Sequence, residues 1–108
     1  MSQKYFLYVT TPLGNKIRTT KSYWNYIAKR KHPEIKGKKK RAIETLINPD
    51  TIKQSPADKR VFLYYLKRKD KHLCVVTKHA DGEGFIITAY ITKKLAKGEI
   101  IYQLRKTP

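Results

Sequence analysis

The sequence predicts an α+β domain: two N-terminal helices packed on a meandering antiparallel sheet of four to five strands, preceded by a β-hairpin. Three observations carry this reading. Apolar residues recur at helical spacing between positions 20 and 47, whereas from Val61 onward they come in short β-branched and aromatic runs separated by polar turns. The chain has 108 residues, 40% of them hydrophobic and 11% aromatic, which suffices for one core but not two. No repeat and no linker interrupts it, so 1–108 reads as a single domain.

Tyr5–Thr10 is rich in aromatic and β-branched residues; Pro12, Gly14 and Asn15 supply turn chemistry, and Lys16–Thr19 runs back as the second hairpin strand. Thr20 or Ser22 can cap the first helix, which presents Tyr23, Trp24, Ile27 and Ala28 as a core stripe and stops at His32, before Pro33. The second helix, about Lys39 to Ile47, shows Ala42, Ile43, Leu46 and Ile47 on one side and ends at Asn48-Pro49-Asp50. Thr51–Gln54 suits a short strand. Val61–Leu66 and Leu73–Thr77 follow, joined by a charged turn over Lys67–Lys71. A polar turn, His79–Gly84, leads to Phe85–Ile91; Thr92–Gly98 reads as a helical turn or loop, and Ile100–Leu104 as a closing strand.

Charge narrows the function. Twenty-five Lys and Arg face eight Asp and Glu, for a net charge of +17. A globular domain holds that much like charge against its own repulsion, so the natural partner is a polyanion: RNA first, DNA second. The cations cluster as Lys29, Arg30 and Lys31, then Lys36, Lys38, Lys39, Lys40 and Arg41, then Lys67 and Arg68, and these form the expected nucleic-acid-binding set. Cys74 is the single cysteine and sits in an apolar run, which points to a core residue and no intrachain disulfide. Neither a leader-like N-terminus nor a membrane-length apolar run is present, so the expected location is cytoplasmic, with no membrane partner.

The strand Phe85–Thr92 alternates. Phe85, Ile87, Ala89 and Ile91 would face the helices, and Thr88, Tyr90 and Thr92 would form a hydroxyl ladder on the other side. An ordinary solvated sheet face accounts for Thr88 equally well. With Tyr65 and Arg60 nearby, the same face suits phosphate contacts and base stacking. The acids are too scattered for a metal-dependent nuclease, and zinc spacing and a phosphate-binding glycine loop are both lacking, so no metal or cofactor is expected. RNA carries its own nucleophile, the 2′-hydroxyl, and needs only an acid–base pair and a cation for the phosphorane. His32, fixed before Pro33 with Glu34 beyond it, is the first-choice proton carrier, although a structural histidine at a helix end is also consistent with the pattern.

Trp24-x-x-Ile27, Lys31-His32-Pro33-Glu34, Glu44-Thr45-Leu46-x-Asn48-Pro49-Asp50-x-Ile52, Tyr64-Tyr65, Gly84–Thr92 and Lys97-Gly98-Glu99 follow one another in an order that resembles the small phage- and bacteria-associated nuclease-like proteins grouped with the barnase, EndoU, colicin and RelE ribonucleases. The resemblance spans about Trp24 to Tyr102. It implies a barnase/RelE-like fold and metal-independent RNA cleavage on the exposed sheet face. The catalytic set would be His32, Glu34, Arg60, Tyr65, Thr88, Tyr90 and Thr92. The expected function is therefore a metal-independent endoribonuclease, a toxin or phage-related RNase whose partner would be an acidic antitoxin or immunity protein. A non-catalytic nucleic-acid-binding module is the alternative. An adaptor for an acidic protein would use the charge but leave the hydroxyl ladder unexplained.

Overall fold

The computed structural model describes residues 5–104. Its elements are β1 (Leu7–Thr10), β2 (Lys16–Thr19), α1 (Lys21–Tyr26), α2 (Lys39–Ile47), β3 (Thr51–Gln54), β4 (Val61–Arg68), β5 (Lys71–Ala80), β6 (Glu83–Thr92) and β7 (Glu99–Gln103). All seven strands join one sheet in the order β1-β2-β6-β5-β4-β3-β7. This corrects the expected architecture of two helices on four to five antiparallel strands: the sheet is larger, it is mixed, and the helices are short. The N-terminal hairpin is present, but it is part of the sheet because β2 pairs with β6 in parallel, Ile17 opposite Gly84. Gly84 makes that approach close. A Cβ there would lie 2.6 Å from the Lys78 carbonyl oxygen and 2.8 Å from Ile17 Cδ1.

The first helix is also shorter than its apolar stripe suggests. Thr20 Oγ1 accepts from the Tyr23 N–H at 3.1 Å and caps α1. After one and a half turns the backbone widens into a π-helical turn, Ile27–Lys31, closed by the His32 N–H donating to the Ile27 carbonyl at 2.8 Å. Pro33 forces His32 out of helical geometry and opens a 3₁₀ turn, Pro33–Ile35. In α2, Ala42 and Leu46 are buried, but Ile47 is an exposed residue rather than part of the apolar side.

Trp24, Ile27, Ile35, Ala42 and Leu46 from the helical segments bury against Ile17, Ile52, Tyr64, Leu73, Val75, Ile86 and Ala89 of the sheet. The opposite sheet face carries a smaller cluster of Leu63, Tyr65, Cys74 and Val76, flanked by Val61, Ile87 and Tyr90. The β6–β7 segment crosses this second face: the Ala96 N–H donates to Tyr65 Oη at 2.9 Å, and Lys53 Nζ donates to the Ala96 carbonyl at 2.8 Å. Cys74 is buried between the sheet neighbours Tyr65 and Tyr90, and desolvation pushes its thiol up to about 12.

The alternation expected for Phe85–Thr92 fails at one residue. Val76 opposes Thr88 and Thr77 opposes Ile86, which leaves Ile87 as an extra residue in a β-bulge. The bulge reverses the pattern on its N-terminal side. Ile86 enters the main core, Phe85 is nearly half exposed, and Ile87 joins the second cluster. The two-residue turn between β5 and β6 is Asp81-Gly82, both at positive φ, the backbone that matches the twist of a tight hairpin. None of the described helices is long and apolar enough to cross a membrane.

Candidate nucleic-acid interface

β5 and β6 define two ends of the sheet. One end holds the β4–β5 turn, His72 and Thr92; the other holds Arg60, Lys78 and the β5–β6 turn. Beyond its pairing with β2, the outer edge of β6 is met by side chains instead of a strand. Tyr23 Oη donates to the Ile87 carbonyl at 2.7 Å, and the Ile91 N–H donates to Glu34 Oε2 at 3.4 Å. The 3₁₀ turn is thereby held beside the end of β6. His32 Nδ1 lies 3.4 Å from Glu34 Oε2, and its ring centre is 5.4 Å from that of Tyr90. His32, Glu34 and Tyr90 are thus brought together.

The other four residues of the expected catalytic set are not available there. Arg60 is at the opposite end of β4, five residues from Tyr65, which is level with Tyr90, or about 17 Å along the sheet at the rise of a strand, and pairs with Asp58 at 3.5 Å. Tyr65 is fully buried; burial pushes its phenol up to about 12, and its oxygen accepts from Ala96. Thr88 keeps the face of Tyr90 but is not displayed: it opposes Val76 of the second apolar cluster, and its Oγ1 is buried with no hydrogen-bond partner. Thr92 Oγ1 is occupied by a local turn, donating to the Lys94 carbonyl at 2.9 Å and accepting from the Lys94 N–H at 3.2 Å. Burial also raises the Tyr90 phenol, with Cys74 as its sheet neighbour. Among the described residues no three His, Cys, Asp or Glu side chains are placed to share a metal ion.

The binding set behaves differently. Lys29, Arg30, Lys31, Lys36 and Lys40 are exposed, and Lys38, Lys39 and Arg41 are half-buried along α2 and its approach. Among the described residues, Arg68 alone of the ten cations in that set reaches a carboxylate, Glu44, at 3.1 Å. That ion pair ties the β4–β5 turn to α2. The result is a cleft of about 360 Å³ lined by Arg41 from α2, by Arg68, Lys69, Asp70 and Lys71 from the turn, and by His72 and Ile91. The C-terminal residue of the first basic stretch thus meets the second around one hollow. Comparisons with protein-family models, curated proteins and solved structures give no match. The reading of this surface rests on its own residues.

A second hollow, about 260 Å³ and largely apolar, lies between Tyr5, Arg18, Tyr23 and Phe85. Arg18 sits 5.8 Å over the Tyr5 ring and pairs with Glu83 at 2.6 Å. Sequence reasoning places Phe85 in the core and misses this site; the run Phe85-Ile86-Ile87 carries no signal for which residue is extra. Sequence reasoning also places His79 in a polar surface turn. It is buried, stacked on Phe62 at 4.2 Å, with Nε2 2.9 Å from Thr77 Oγ1 and 3.3 Å from Tyr64 Oη.

Proposed function

We propose that this chain is a nucleic-acid-binding module, with single-stranded RNA as its preferred target. The observation that carries this reading is the excess of uncompensated cations on the surface: within the expected binding set only Arg68 pairs with a carboxylate among the described residues, and Arg41 of the first basic stretch meets Arg68, Lys69 and Lys71 of the second around one cleft. Uncompensated cations on a folded surface attract phosphates at long range and release counterions on contact. The hollow at Phe85 adds aromatic surface on which an unpaired base can stack, an interaction worth about 1–3 kcal/mol per base in single-strand binders. Exposed bases favour a single strand over a duplex.

Affinity for a single-stranded RNA is expected to fall linearly on a log–log plot against salt. Reversing Lys38, Lys39 and Lys40 to glutamate is expected to weaken binding at least about tenfold and to flatten the slope by about 0.7 for each phosphate no longer neutralised. Anisotropy titrations at several salt concentrations measure both. Binding that hardly responds to salt, or a triple variant that binds like the original, rejects the proposal.

The second reading is metal-independent RNA cleavage, favoured by one observation: His32, Glu34 and Tyr90 meet at the edge of β6 beside the cations. An imidazole held by a carboxylate suits transfer of a proton from the 2′-hydroxyl. Incubating the protein with total RNA in excess EDTA is then expected to yield discrete fragments ending in 2′,3′-cyclic phosphate. Intact RNA after saturating binding leaves the binding module as the whole function.

A further inference from the structure

We propose that the cleft between α2 and the β4–β5 turn is a subsite for a terminal phosphate, the monoester at one end of a nucleic-acid strand. The inference rests on the nucleic-acid reading above and specifies the group this site takes.

Four permanent cations, Arg41, Arg68, Lys69 and Lys71, line one small hollow together with His72 and one acid, Asp70, so positive charge is in clear excess there. Glu44 meets Arg68 at 3.1 Å, and the exposed Asp70 lies 3.9 Å from Lys93. Two polar atoms of the lining, Arg41 Nε and His72 Nδ1, are buried without a hydrogen-bond partner. An arginine Nε–H can only donate, and an unmade bond at a buried donor is costly. A modest rotation of the Arg41 side chain offers this donor to an oxygen bound in the cleft, and the unpartnered His72 Nδ1 is a second polar atom on the same wall.

The turn positions one of these cations. Lys69 has φ +57°, the left-handed backbone that a two-residue hairpin turn uses, and it brings this lysine to the cleft wall.

The clustering selects the kind of phosphate. An internal diester carries one charge and two free oxygens, and successive diesters match a row of cations such as Lys29–Lys31, Lys36 and Lys40. A terminal monoester carries about two charges at neutral pH and three acceptor oxygens. Several cations grouped around one point match the monoester.

The test uses one short single-stranded RNA in three forms: 5′-phosphorylated, 3′-phosphorylated and hydroxyl at both ends, titrated at fixed salt. One phosphorylated form is expected to bind about tenfold or more tightly than the hydroxyl form, as charge-assisted bonds to arginine and lysine require. Lys69→Gly and Arg41→Gln are expected to abolish that preference, bringing the phosphorylated form down to the affinity that the same variant shows for the hydroxyl form. Lys69→Gly is also expected to melt no lower than the original protein, because glycine relieves the positive φ, so lost preference is not lost folding. Equal affinity for all three forms, with salt-dependent binding intact, overturns the phosphate subsite and leaves the binding module standing. A preference that survives both substitutions overturns its location. Failure to bind any of the three defeats the nucleic-acid reading itself.

Discussion

Ile86→Ala is expected to destabilise the protein by about 2–5 kcal/mol, whereas Ile87→Ala, one residue further on, costs about 1 kcal/mol. Ile86 is 1% exposed within the main core, and its truncation leaves a void that the surrounding sheet and helices can fill only in part. Ile87 is the extra residue of the bulge, only partly buried at the border of the second cluster. Thr88→Val completes the series. It replaces a buried hydroxyl that has no partner with a methyl of the same shape, so stability is expected to rise by about 1 kcal/mol. Urea unfolding of the three variants measures all of this. A larger loss at Ile87 than at Ile86 would place the bulge elsewhere, and a destabilised Thr88→Val would mean that the hydroxyl is bonded.

Acid is expected to cost about 3 kcal/mol of stability through His79 alone. Burial lowers its pKa from 6.5 to about 4. The Thr77 hydroxyl donates to the Phe62 carbonyl and the Tyr64 hydroxyl to Thr11 Oγ1, so the proton of neutral His79 belongs on Nε2, facing Thr77. Between pH 6.5 and 4 the unfolded chain binds a proton that the folded chain refuses. The contribution of neutral His79 is therefore complete above pH 6.5 and is lost progressively as pH falls toward 4, at 1.36 kcal/mol per unit. Asp58 acts in a different window: the Arg60 backbone N–H holds its carboxylate low, so its contribution fades only below pH 3.8. Unfolding free energies of the protein and of His79→Gln, compared from pH 7.5 to 4, separate the two. Parallel curves would show that His79 is not held neutral.

Local chemistry made much of this fold readable. The turn residues Pro12, Gly14 and Asn15 and the apolar runs around them give the first hairpin; Pro33 marks the end of the helical stretch formed by α1 and the π-helical turn; and the runs 61–66, 73–77 and 85–91 lie within β4, β5 and β6. The misses have a common origin in interactions between distant residues. Nothing near Lys16–Thr19 indicates that this strand seeks β6, because the pairing depends on the space left at Gly84. Three consecutive apolar residues, Phe85 to Ile87, allow either register, and only the partner strand decides. For the same reason the expected catalytic set comes apart at Arg60, Tyr65 and Thr88, while His32, Glu34 and Tyr90, held at the edge of β6, stay together. Both basic stretches were plain in the sequence, but their meeting across the Arg68–Glu44 pair was not.

The parallel pairing of β2 with β6 also sets an order of events at birth. During synthesis the hairpin and the lysine-rich helical segments emerge long before the strand against which they must pack. Until β6 is available, Ile86 and Ala89 are missing from the core that Trp24, Ile27 and Leu46 share with the earlier strands, and the first hairpin has no place in the sheet. Closure of so distant a pairing is slow relative to hairpin formation, so the β1–β2 hairpin is expected to form first and to join the sheet last.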